Sequence, residues 1–486
     1  MTMRKPNTAR AVGTLTLTTL LLAGCAAVGP NFRSPALPTT PGYAMAGDAP
    51  PGAGVRFGPP AAGPWWTDFG PPALDQLEQQ ALSGSPTIAE ADAALDQARA
   101  SLAAARGGLQ PSVDLNAGAQ RERINLASFG FNAASLPGFS NNPEFSLYSV
   151  GGTVAFPLDI FGGQRRAVEG AAARAESIAR RGDAAALSLT GQVATTAVQI
   201  AGLKAEIAAV EAMVADDRQT AELVRRAEAV GGEAEGARIG AATQIARDEA
   251  MLPPLRQALT VARHQLALLL GKAPTDFVPP ELELKDFRAG AAPVALPSDL
   301  VHLRPDIQQA EADLHAATAE VGVATAALYP SLNLSASLTQ SALTPDKIFN
   351  FTSTAYTLGV GLAAPIYDGG RRRAEREAAR AAARVALARY ESTVLLAFNQ
   401  VADRLQSLAH DDETLAAETK SETAALENLR LARAAYQLGG TGLLPVIDAQ
   451  RTAGDARRAR VAVETQRALD TVQLIVASGA RWRAAR

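Results

Sequence analysis

The sequence is poor in cysteine, histidine and aromatic side chains, and neither sign of charge is in clear excess. A single cysteine, Cys25, excludes a disulfide framework, and the four scattered histidines (His264, His302, His315 and His410) leave no two candidate ligands at zinc-site spacing. Lys and Arg number 46 against 49 Asp and Glu, so the clustered basic surplus of a nucleic-acid binder is missing. There is no nucleophile elbow, no phosphate loop and no metal cluster; neither an enzyme nor a cofactor is expected. The apolar run near the start, Ala11 to Ala23, has 13 residues, short of the roughly 20 that a helix needs to cross a bilayer.

That run follows Arg4, Lys5 and Arg10, so residues 1–24 read as an export signal that targets and does not anchor. It ends in Leu22-Ala23-Gly24-Cys25, which resembles the lipobox of bacterial lipoproteins, where the cysteine is acylated after cleavage. The alternative is a leftover thiol. Acyl chains, at about 0.8 kcal/mol per buried CH₂, would hold such an N-terminus to a membrane without a transmembrane helix. Ala26 stands where an Asp commonly retains lipoproteins in the inner membrane, which points to the outer membrane. Residues 25–64 carry Pro30, Pro35, Pro38, Pro41, Pro50, Pro51, Pro59 and Pro60, a density that prevents helix and central-strand formation and predicts an extended tether.

The body repeats itself, once over about 65–290 and once over about 291–486. Pro86 and Pro111 are 25 residues apart, as are Pro305 and Pro330, and each pair brackets a helical pattern. After the second proline the period falls from 3.6 to 2: Val113, Leu115, Ala117 and Ala119 alternate in the first half, Leu332, Leu334, Ala336 and Leu338 in the second. A variable Asn/Ser/Gly/Pro-rich segment and a second alternating run follow in both halves. Strands are therefore expected at about 112–122, 145–157, 331–341 and 354–365, each of a length that crosses a bilayer when tilted. Two proline-free segments rich in Ala, Leu, Glu and Arg come next, and predict helices at about 164–230 and 371–438, each roughly 100 Å long. Both end in paired glycines, Gly231-Gly232 and Gly439-Gly440, which suit a reversal into return helices expected over 243–271 and 448–478.

A sheet in lipid cannot leave an edge unpaired, and four strands cannot close a barrel, since known barrels begin at eight. Several copies must share one barrel, though periodicity alone does not count them.

The ordered set of short motifs resembles the outer-membrane factors of the TolC class, and among them the NodT-type lipoproteins of resistance-nodulation-division efflux systems. The matching stretches are Val28-Gly29-Pro30-Asn31-Phe32, Trp65-Trp66-Thr67-Asp68-Phe69, Leu74-Asp75-Gln76-Leu77, Arg304-Pro305-Asp306-Ile307, Leu328-Tyr329-Pro330-Ser331, Pro365-Ile366-Tyr367-Asp368-Gly369-Gly370 and Leu444-Pro445-Val446-Ile447-Asp448-Ala449-Gln450. The resemblance implies an α+β membrane protein: a homotrimer whose twelve strands, four per chain, form one outer-membrane β-barrel, continued by a long periplasmic α-helical barrel. It implies the exit duct of a tripartite efflux pump, working with a periplasmic adaptor protein and an inner-membrane pump and catalysing no reaction. A type I protein secretion channel and a coiled-coil lipoprotein scaffold without a pore are the competing readings.

In that family the duct closes at the periplasmic tip. Tyr436 matches the family's latch tyrosine, and Asp448 matches an acidic position facing the axis, where three carboxylates would repel one another and attract cations. Asp448 also reads simply as a helix N-terminal aspartate favoured by the dipole. Gly231, Gly232, Gly439, Gly440 and Gly442 are the candidate adaptor-docking residues, or plain turn glycines with positive φ. The sequence departs from the family at Pro445 and Ala237, which stand at usually acidic positions, with Glu233 and Glu235 nearby as substitutes. Arg165, Arg166 and Arg371 to Arg373 begin the long helices, where cations oppose the macrodipole; a solvated helical face and contact with lipid headgroups are the two readings.

Overall fold

The computed structural model describes residues 27–36, 42–52, 54–58, 63–130, 142–289, 292–295 and 297–480. The expected signal segment and Cys25 lie outside the described residues. In chain order the elements are β1 (Val55–Phe57), α1 (Trp66–Phe69), α2 (Pro72–Gly84), α3 (Pro86–Gly107), β2 (Ser112–Arg123), β3 (Glu144–Leu158), α4 (Gly163–Ala229), α5 (Glu235–Glu249), α6 (Leu252–Leu269), β4 (Ala292–Val294), α7 (Pro297–Leu303), α8 (Pro305–Ala326), β5 (Ser331–Ala342), β6 (Thr354–Ala363), α9 (Arg371–Gln437) and α10 (Leu444–Ala477). They form two compact units, each assembled from separate stretches. The first takes described residues up to Ser34, Asp96–Glu176 and Ala312–Ala388; the second takes Pro35–Leu95, Ser177–Glu311 and the chain from Arg389.

The first unit holds an antiparallel sheet in the order β2-β3-β5-β6. An aspartate follows each of its two hairpins and caps the helix beyond. Asp159 accepts the backbone N–H groups of Gln164 and Arg165 at 3.0 and 2.9 Å, and Asp368 accepts those of Gly370 and Arg372 at 3.0 and 3.2 Å. The N–H of Arg372 is the main reason the Asp368 carboxyl lies below its ordinary range. These carboxylates also pair with two of the arginines, Arg165 with Asp159 and Arg372 with Asp368, so an anion at each helix N-terminus offsets the cation beside it.

Arg166 fits neither sequence reading, because it is buried. It donates to the Val28 carbonyl at 3.3 Å, to Asn31 Oδ1 at 2.6 Å and to Glu169 at 2.7 Å. Phe32 stacks on His315 at 4.4 Å, and His315 Nε2 lies 3.0 Å from Glu169. The Val28–Phe32 strap is thus bracketed onto α4 and α8. At its tightest point a Cβ on Gly29 would come within 2.5 Å of the Gly322 backbone.

The second unit is built on helix stripes of small and branched residues. Val193, Ala194, Ala197, Val198 and Ala201 of α4 and Val394, Ala397, Val401, Leu405 and Leu408 of α9 recur at three- and four-residue spacing, and all are buried. The same core receives Trp65, Trp66, Phe69, Leu74 and Leu77, with the indole N–H groups donating to Thr190 and Asp75. In the proline-rich segment, Val55–Phe57 forms a short parallel edge strand on β4, and the hydroxyl of Tyr43 donates to the Ala295 carbonyl at 2.8 Å.

Both return helices differ from expectation. The first is two helices, α5 and α6, separated at Ala250-Met251. Pro253 and Pro254 occupy the first turn of α6, where a missing N–H costs nothing, and not a helix interior. The second begins at Leu444 with Pro445 in its first turn, which places Asp448 in the second turn of the helix and not in the first.

One core residue is chemically out of place. Glu78 is fully buried among these apolar groups, and neither carboxyl oxygen has a hydrogen-bond partner. Burial, and then the charge of Asp75, raises its pKa well above the ordinary value. Stability from this group is full below the ordinary glutamate pKa and falls as pH rises toward the raised one. Glu78→Met is therefore expected to stabilise the protein by about 1–3 kcal/mol at neutral pH. Thermal melts at acidic and alkaline pH check it: the gain should shrink in acid.

Candidate functional site

Two places in the structure carry features beyond folding. The first is the sheet. Its register places Val113, Leu115 and Ala117 opposite Val154, Gly152 and Val150; these strands continue across to Ala336, Leu338 and Gln340, and Leu334, Ala336 and Leu338 then pair with Val360, Leu358 and Tyr356. Side chains at paired positions share a face, so one face is apolar across all four strands apart from positions such as Gln340. The other face carries Asp114, Asn116, Ser149, Thr153, Asn333, Ser335, Ser337 and Thr357. Leu115, Tyr356, Leu358, Val360 and Leu362 are 69 to 81% exposed, so none of the described residues covers them. The strands have 12, 15, 12 and 10 residues, and among the described residues β2 and β6 each pair on one side only. An open edge beside an uncovered apolar face cannot be stable in lipid, and in water it invites aggregation.

The second place is the helical end of the second unit. Both long helices finish in the same hydrogen-bonded reversal. Gly232 N–H bonds to Ala227 O at 2.8 Å and Gly231 N–H to Glu228 O at 2.9 Å; Gly440 N–H bonds to Ala435 O at 2.9 Å and Gly439 N–H to Tyr436 O at 3.0 Å. Gly231 and Gly439 have φ of +77° and +74°, so turn geometry demands glycine there. It makes no such demand at Gly232, Gly440 or Gly442, and open space surrounds a Cβ at Gly442. All five glycines are exposed, and beside them Val230, Leu438 and Leu444 are 76 to 87% exposed.

Behind these turns Val224, Ala241, Leu429, Val446 and Ala449 form a small core, and both Tyr436 and Ala237 pack against it. Where the family pattern places an acid, Ala237 thus contributes apolar packing on the cluster that holds the Tyr436 ring. Glu235 is paired with Arg238 at 3.0 Å. Asp448 is exposed, on the second turn of α10.

Sequence reasoning gave Arg166 a different setting and His315 no role, because their partners lie on a strap 135 or more residues away. The available signal was Asn31-Phe32, singled out as a motif but given no role.

The family model described as outer membrane efflux protein matches residues 77–272 and 296–480. The pyoverdine export outer membrane protein OpmQ of Pseudomonas aeruginosa is 31% identical, over 87% of this chain and 88% of its own. Nodulation protein T of Rhizobium leguminosarum bv. trifolii is 28% identical, over 95% and 96%. The solved structure of the outer-membrane channel OprN superposes with a TM-score of 0.83 at 28% identity, covering 94% of this chain and 99% of that one.

The glycine geometry separates two kinds of substitution. Gly231→Ala and Gly439→Ala are each expected to cost about 1 kcal/mol or more at the turn. Gly442→Ala should cost nothing measurable. Hydrogen exchange across the two turns distinguishes them.

Proposed function

The chain belongs to the outer membrane efflux protein family, and from that premise we propose that three copies close a single twelve-stranded barrel in the outer membrane and form the exit duct of a tripartite efflux pump. The observation that carries this reading is the four-stranded sheet with one uncovered apolar face and two open edges. Lipid accounts for the face, and β2 of one copy against β6 of the next accounts for the edges. The polar face then lines water. The protein makes or breaks no bond; it lets small molecules through, and energy comes from an inner-membrane pump of the resistance-nodulation-division type.

Lipidation at Cys25 adds an anchor to the outer-membrane lipid, and the bracketed Val28–Phe32 strap supports a fixed path for the chain that follows it. The glycine turns are the proposed docking surface for a periplasmic adaptor. Small residues that the turn does not require, next to exposed Val230, Leu438 and Leu444, suit an opposing helical hairpin. Tyr436 and Asp448 are the proposed gate, with Tyr436 seated on an apolar cluster and three copies of Asp448 setting the charge at the constriction.

Two measurements test this reading. In planar bilayers the purified protein should conduct, and Asp448→Ala should lower its preference for cations; unchanged selectivity removes Asp448 from the gate. Leu358→Arg, on the proposed lipid face, should cost about 2–4 kcal/mol and cut the amount assembled in outer membranes. Thr357→Arg on the opposite face should assemble normally, and equal assembly of both variants would contradict the assignment of faces.

A further inference from the structure

Between α4, α5 and α10 the second unit buries a polar cluster that no part of the duct reading uses. Asp248 and Gln450 are 2 and 5% exposed, and Thr220 is 5% exposed. The hydroxyl of Thr220 donates to Gln450 Oε1 at 2.7 Å, which turns the other end of the amide toward Asp217; Gln450 Nε2 then donates to Asp217 Oδ1 at 2.7 Å. Gln244 Nε2 donates to Asp248 Oδ1 at 3.1 Å. Arg218, next to Asp217, pairs with Glu249, next to Asp248, at 2.6 Å, which sets α4 against α5 at this point, and among the described residues no donor reaches Asp217 Oδ2, which is buried. Two carboxylates so placed need a proton between them.

The surrounding charges do not supply a substitute. On α4 these are Asp216 and Arg218, on α5 Arg247 and Glu249, on α9 Arg433, and on α10 Arg451 and Asp455. Arg433 pairs with Asp216 at 3.4 Å, Arg218 with Glu249 at 2.6 Å and Arg451 with Asp455 at 3.9 Å. Another carboxyl pair of this unit, Asp411 and Asp470, also leaves one buried oxygen, Asp411 Oδ2, without a partner, but there Arg404 holds Asp470 at 3.0 Å and Gln466 donates to its other oxygen at 2.8 Å.

We propose that Asp217, Asp248 and Gln450 form a proton-operated clasp that ties α4, α5 and α10 together behind the glycine turns, closed while the two carboxyls share a proton and loosened when both are charged. The clasp sits 14 residues before Gly231, roughly 20 Å along the helix, so it joins the arms of the helical hairpins and not their tips. Burial first, then the hydrogen bond and the charge of Asp248, push Asp217 up to about 7, while the hydrogen bond from Gln450 opposes the rise. In a parted state the Asp217 carboxyl returns to about 3.9. Opening therefore releases a proton, and its equilibrium constant rises up to about tenfold per pH unit between about pH 4 and the raised value, then levels off. The consequence for conduction rests on the duct reading; the opening itself does not.

Hydrogen exchange of the detergent-solubilised full-length protein, followed over residues 235–249 from about pH 5 to about pH 8 and corrected for intrinsic exchange, tests the clasp. The wild type should lose protection with rising pH and level off near neutrality. Asp217→Asn and Asp248→Asn, which put a permanent amide donor between the groups, should be flat. Gln450→Leu should move the levelling-off to higher pH, a shift that lost packing alone does not produce. A flat wild type, or the same pH response in both Asn variants, overturns the proposal, and the second result reassigns the response to Asp411 and Asp470. Conductance in planar bilayers keeps the two readings apart. Silence at every pH counts against the duct, whereas a conducting channel with pH-independent exchange counts against the clasp.

Discussion

A backbone hydrogen-bonding group in lipid must have a partner, and the unpaired edges of β2 and β6 are where the described residues of this chain do not provide one. The rest of the sheet makes the omission deliberate. The register aligns apolar side chains across all four strands, and a one-residue slip anywhere would mix the two faces. A four-stranded sheet of this kind is unfinished by construction, and the simplest completion consistent with its two edges is another copy of itself.

The helical parts answer a different constraint. Helices of 67 residues cannot be stabilised by propensity alone, so they need continuous burial along their length. Alanine and valine at three- and four-residue spacing provide it in the second unit, and the tryptophan-bearing α1 and the neighbouring α2 complete that core. Near the turns a smaller cluster takes over, and Tyr436 and Ala237 belong to it. A position where the family pattern places an acid is thus apolar here, while carboxyl chemistry appears deeper in the unit at Asp217 and Asp248.

Much of this was legible in the sequence because it is periodic. Alternation at Val113, Leu115 and Ala117 marks a strand face, and paired glycines mark helix ends because only glycine takes the positive φ that the reversal needs. What was illegible depended on geometry that periodicity does not encode. Pro253 and Pro254 read alike in a helix interior and in a first turn, and only the structure shows the break at Ala250-Met251. Arg166 looked like one more exposed arginine until the strap covered it. Asp217 and Asp248 are 31 residues apart, on separate helices, and nothing in their local sequence announces that those helices come together there.

The shared barrel is tested most directly at its seams. Asn116→Cys on β2, combined in turn with cysteine at successive positions of β6 from Tyr356 to Gly361, scans the join between copies in outer membranes under mild oxidation. Covalent trimers at one register, with alternate positions silent, are expected. Monomers at every position, in protein that is folded and membrane-inserted, would contradict the barrel.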